Sequence, residues 1–237
     1  VRVAMHQPHY LPWLGLVDKV DRCDLFVVVD HVQFERKGWQ NRNYVGALGG
    51  PMMLTVPVVQ HSRAELIADK LVDNRKRWGL KHLRTLADNC YGRTPFWRVY
   101  RAEFEAIYTA EWERLAELSL ATTRMVLDAF GIDTPMVRSS ELGPLTGKKT
   151  DMIAEIALRV GADTVLSGDG ARGYLVPEAL TDRGIALEWQ DFQHPVYRQH
   201  GRHGDFLPRL AAIDLLVNHG PEGVEVLRQA RSHPVRT

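Results

Sequence analysis

His6 and His9 stand in the segment His6-Gln7-Pro8-His9-Tyr10-Leu11-Pro12-Trp13-Leu14-Gly15. It gathers imidazoles, an amide and aromatic rings. Imidazole changes charge near neutral pH, so His6 and His9 are candidate catalytic residues for proton transfer or for stabilising phosphate oxygens. Gln7, Tyr10 and Trp13 could hold a substrate through hydrogen bonds and ring stacking. A plain turn needs only Gly or Pro.

A second constellation is Trp39-Gln40-Asn41-Arg42-Asn43, after a basic loop with Arg36 and Lys37. Arg42 could grip a carboxylate or phosphate with two parallel bonds, while Asn41 and Asn43 read hydroxyls or carbonyls. With Asp30 and Gln33 they form a candidate substrate site; a solvated loop is the plain alternative. Lys148 and Lys149 lie in Thr146-Gly147-Lys148-Lys149-Thr150-Asp151, just before an expected helix. Lysines at a helix N-terminus attract phosphate, although the spacing is not that of a Walker A loop. An N-capping Thr with solvated lysines explains the segment equally well. In Ser167-Gly168-Asp169-Gly170-Ala171-Arg172-Gly173-Tyr174, small residues let the backbone approach a ligand. Gly168, Asp169 and Arg172 are candidate phosphate ligands there, and Tyr174 could stack or donate a hydrogen bond. His194, in His194-Pro195-x-Tyr197, is a candidate acid/base beside a substrate-binding Tyr197. His200 and His203 follow, without tight metal-ligand spacing.

These residues fall at the ends of expected strands. Val1–Met5 reads as a strand, Leu16–Arg22 as a helix and Leu25–Asp30 as a second strand. Further strands are expected over Met52–Val58, Thr134–Arg138, Thr164–Leu166 and Ile185–Trp189. Helices are expected over Arg75–Asn89, from Pro95, and over Trp112–Phe130, Lys149–Val160, Asp205–Val217 and Glu222–Arg231. Strands alternating with helices argue for an α/β fold: a Rossmann-like, mostly parallel sheet flanked by helices. Residues 75–130 read as a helical insertion within one domain spanning 1–237. In such sheets ligands bind at the carboxyl ends of the strands.

Gln7-Pro8-x-Tyr10-Leu11-Pro12-Trp13-x-Gly15 and Asp24-x-Phe26-Val27-x-x-Asp30-x-Val32-Gln33-Phe34 resemble the opening of the WbqC-like family. The Trp39–Asn43 block, Leu54-Thr55-Val56-Pro57-Val58, Leu166-Ser167-Gly168 with Tyr174-Leu175, the His194 block and Ile213-Asp214-Leu215-Leu216-x-Asn218-x-Gly220 follow in the family's order. The resemblance implies a place in cell-surface polysaccharide or natural-product biosynthesis. The first loop is also similar in layout to the histidine loop of HIGH-type nucleotidyltransferases, with different spacing.

The expected activity is group transfer on a small activated substrate. The alternatives are a hydrolase or acyltransferase acting on a carrier-linked thioester or amide, and a non-catalytic subunit of a biosynthetic complex. A nucleotide with Mg would serve the first. An acyl carrier protein would meet a basic rim of Arg36, Lys37 and Arg75–Arg77 in the second. A net charge of +1 gives no electrostatic footprint for nucleic acid. No apolar run reaches the ~20 residues of a membrane span, and no leader segment is visible. Two cysteines make no disulfide framework, so a cytoplasmic protein is expected.

Overall fold

The computed structural model describes residues 1–60, 62, 64–201 and 204–232. His203 of the histidine-rich loop lies outside them. Among the described residues a five-stranded sheet forms the centre, ordered β5-β2-β1-β6-β7. Its strands are β1 (Arg2–His6), β2 (Leu25–Val28), β5 (Met136–Arg138), β6 (Thr164–Ser167) and β7 (Ala186–Trp189). Every pairing in it is parallel. From β1 the chain moves outward through β2 to β5, then crosses to β6 and β7 on the other side. The order therefore reverses between β1 and β6, which makes a topological switch point.

Successive side chains on a strand face opposite ways. Ala4, Phe26, Val28 and Leu166 join one apolar core; Val3, Val27, Val29 and Val165 join the other. The first core packs α1 (Leu14–Asp21), α4 (Leu115–Ala129), α7 (Ile213–His219) and α8 (Gly223–Ser232). The second packs α5 (Thr150–Arg159) and the short α6 (Pro177–Thr181). The helices α2 (Trp78–Arg84) and α3 (Trp97–Thr109) extend the first core through Trp78, Trp97 and Phe104.

Three expectations need correction. The Met52–Val58 strand does not enter the main sheet. It forms β4 (Gly50–Thr55), antiparallel to β3 (Arg42–Ala47) in a separate hairpin. Ala47 faces Gly50 across the Leu48-Gly49 turn, and Gly50 has φ 126°, a conformation open to glycine. The Asp205–Val217 helix begins only at Ile213. Pro208 and left-handed Arg209 break the run, and Ala211 pairs with Trp13 instead. The Arg75–Asn89 helix is interrupted: α2 passes into a wider π turn over Thr85–Tyr91. That widening accompanies two ties to the hairpin, Tyr91 Oη accepting from Gly46 N and the Asn89 carbonyl accepting from Leu48 N.

Candidate functional site

The first loop leaves β1 at His6. The His6 Nδ1 lies 2.8 Å from the Gln7 carbonyl oxygen. A carbonyl only accepts, so Nδ1 carries the proton and Nε2 keeps its lone pair. The His9 ring meets His6 edge-on at 4.5 Å, and its buried Nδ1 has no partner among the described residues. Burial is the largest cause lowering both imidazoles; His9 is brought to about 4, with Lys19 contributing. Both are therefore neutral at pH 7.

Further along, Leu11 adopts a left-handed backbone, φ 50°. It persists because both its backbone groups are pinned: N–H donates to Thr122 Oγ1 at 3.1 Å and C=O accepts from Asn43 Nδ2 at 2.5 Å. Trp13 then folds its ring over Gly15, where a Cβ would fall 2.2 Å from the indole.

This loop forms one wall of a cleft of about 840 Å³ at the switch point. Another wall is the end of β6 and the loop after it, with Ser167, Gly168 and Asp169. Lys19 of α1 also lines the cleft, although its side chain is only 5% exposed. A Cβ on Gly168 would come within 3.1 Å of the Lys19 Nζ, so the glycine leaves the ammonium room beneath the loop. Burial lowers Lys19 from 10.5 to about 8, against the weaker pull of Cys23, Asp169 and Asp18. Among the described residues the Lys19 ammonium makes no hydrogen bond or close ion pair. The neighbouring carboxylates are engaged elsewhere: Asp18 by Arg231 at 2.6 Å and Gln190 at 2.7 Å, Asp169 by Arg172 at 2.8 Å. An unpaired cation, a neutral imidazole with a free lone pair and a glycine loop thus share one cleft.

Of the residues singled out from sequence, the cleft is lined by His6, Gln7, Trp13, Gly168, Asp169, Tyr174 and His194. His9 stands behind His6. The others are used differently. Tyr10 is fully buried, bonding His82 Nδ1 at 2.9 Å and Tyr108 Oη at 2.7 Å. Asp30 is closed off by Arg138, Ser139 and Ser140. Asn41 donates to the Val56 carbonyl, Arg42 to the Gly38 carbonyl and Asn43 to the Leu11 carbonyl. These polar groups tie loops to the hairpin, which needs amides as much as a ligand would. Their link to the cleft runs through Gln40, whose Nε2 donates to Gln7 Oε1 at 2.7 Å.

Gln33 borders a separate hollow beside Arg36. Lys148 and Lys149 are exposed ahead of α5 and do not line the cleft, although Met152 and Ile153 do. Arg172 bridges Asp169 and Asp191 over the Trp189 ring. Tyr197 donates to Asp214 at 2.9 Å. The residues missed from sequence are Lys19, Gln190, Phe192 and Arg209, all in the cleft wall. Lys19 gave no signal of its own: at helical spacing it falls, with Asp18, off the side that carries Leu14, Val17 and Val20.

Fold and site together define an α/β protein with a cleft at the switch point of a parallel sheet. A profile of the WbqC-like protein family matches residues 7–226, and the chain belongs to that family. It is 30% identical over 235 residues to the uncharacterized protein Rv1507c of Mycobacterium tuberculosis, covering 97% of this chain and 99% of that protein. No solved structure matches the chain. No helix of the described residues is long and apolar enough to cross a membrane.

Proposed function

We propose that the chain is a group-transfer enzyme of cell-surface polysaccharide or natural-product biosynthesis, working in the switch-point cleft. The observation that carries this reading is the pairing of Lys19, buried without a close anionic partner, with His6, neutral and presenting Nε2. The Lys19 ammonium holds the anionic leaving group of an activated donor. An acceptor hydroxyl or amine attacks the donor's electrophilic carbon or phosphorus, and a bond forms between them. The bond from that atom to the leaving group breaks, the leaving group keeps the electron pair, and the acceptor proton passes to His6 Nε2. Gln7, which accepts from Gln40, orients the acceptor in this reading.

The experiment is a thermal-shift screen of nucleoside triphosphates, nucleotide sugars, coenzyme A and amino acids, with and without Mg²⁺. A ligand at ~100 times its Kd adds about 2.7 kcal/mol of stability. Any donor that binds is then incubated with amine and hydroxyl acceptors, and the product is followed by mass spectrometry. The expected result is a donor whose binding is lost in Lys19→Met and whose turnover, but not binding, is lost in His6→Gln. Full turnover by His6→Gln would remove the imidazole from the reaction. The carrier-linked alternative draws less support, because the basic rim of Arg36, Lys37 and Arg75–Arg77 does not line the cleft and Arg75 is paired with Asp73.

A further inference from the structure

Arg209 lines the cleft in a left-handed backbone, φ 60°. That conformation is disfavoured for a residue with a Cβ and persists where contacts impose it. His194 supplies such a contact: its Nε2 accepts the Arg209 N–H at 3.0 Å. The other ring nitrogen, Nδ1, donates to the Pro195 carbonyl at 2.8 Å. Both nitrogens are thus occupied, and the ring is fixed in one tautomer rather than free to carry a substrate proton.

The ring is itself held. It lies nearly parallel to Tyr197, 20° between planes, and the Tyr197 hydroxyl is anchored on Asp214. At the end of this chain of supports stands the exposed Arg209 side chain, with no hydrogen bond or ion pair among the described residues. Two ring contacts connect this end of the cleft to Trp13 in the first loop: His194 to Phe192 at 6.1 Å and Phe192 to Trp13 at 5.2 Å. The cleft wall between Arg209 and the first loop is therefore aromatic.

We infer that Arg209 binds a second anionic group of the substrate, a carboxylate or a phosphate, across this wall from the group at Lys19, and that His194 is its positioning residue. The substrate class is a molecule, or a donor and acceptor side by side, with two anionic ends separated by an apolar or planar stretch. This rests on the Lys19 reading above for the first anion; the Arg209 pole stands on its own geometry.

The test uses ω-phosphonoalkanoates of increasing chain length, each beside the alkylphosphonate of the same length, with binding followed by calorimetry. At a bridging length the added carboxylate is expected to tighten binding about tenfold, which is 1.4 kcal/mol. The gain should vanish in Arg209→Gly, a substitution suited to the left-handed backbone, while alkylphosphonate affinity is unchanged. It should vanish in His194→Phe and return in His194→Gln, whose side-chain oxygen can accept the same N–H. Absence of a gain at every length, or its survival in Arg209→Gly, would overturn the inference; survival in His194→Phe would remove the positioning role. If no alkylphosphonate binds, the Lys19 reading fails. Arg209 is then judged by alkylcarboxylates, whose binding must disappear in Arg209→Gly, and failure of every carboxylate to bind overturns the inference.

Discussion

Lys19→Met should make the ligand-free protein more stable. Lys19 is lowered from 10.5 to about 8, and burial is the largest cause. That is roughly two and a half units at about 1.36 kcal/mol each, or about 3 kcal/mol of cost for keeping the ammonium inside. The sign follows from the direction of the shift. Below about pH 8 the lysine is protonated in both folded and unfolded chains, and the folded state bears the full cost. Between pH 8 and 10.5 the folded state sheds the proton first, so wild-type stability rises. Met retains an unbranched stem of similar volume and carries no charge to desolvate. The variant's advantage should be largest at pH 7 and shrink as the pH is raised toward 10. For a chain of this size about 3 kcal/mol corresponds to roughly 6–12 °C in Tm. Urea unfolding of both proteins at pH 7 and pH 9.5 measures it, because the other titrating groups cancel in the difference. A variant no more stable than wild type at pH 7, or a gain that ignores pH, would refute the reasoning. Lys19 would then be a satisfied structural lysine.

Asn43→Ala removes the donor that pins the Leu11 carbonyl and should cost about 1–3 kcal/mol; a loss below 0.5 kcal/mol in urea unfolding would show that the left-handed Leu11 is held without it. Gly15→Ala places a methyl into the Trp13 ring, so the ring must move, at about 1–3 kcal/mol. Its near-ultraviolet circular dichroism should change, and an unaltered spectrum with unaltered stability would contradict the packing. Asp30→Asn removes the carboxylate that Arg138, Ser139 and Ser140 share and should cost about 3–5 kcal/mol. Stability within 1 kcal/mol of wild type would mean that Asp30 is not structural.

The parallel sheet was legible because β1, β2, β6 and β7 are short apolar runs separated by helices of helical period. The hairpin was not read, although Leu48-Gly49 followed by Gly50 is a turn signal, because β3 begins inside the polar Asn41-Arg42-Asn43 run. Those amides looked like ligand groups; the structure spends them on the carbonyls of Val56 and Leu11. Sequence spacing cannot tell whether an amide faces a ligand or a strained backbone. His6, singled out by its residue type and its place after the first expected strand, lines the cleft. Lys19 was passed over because a lysine on an amphipathic helix ordinarily reaches solvent, and only the sheet order brings it under Gly168. Arg209 was hidden inside an expected helix, and its left-handed backbone is visible only in three dimensions.

The most direct measurement is a calorimetric titration of inorganic pyrophosphate into wild type, Lys19→Met and His6→Gln at pH 7. Saturable binding to wild type and to His6→Gln, lost in Lys19→Met, is the expected result. Pyrophosphate that fails to bind wild type, or binds Lys19→Met equally well, would contradict an anion site at the switch point.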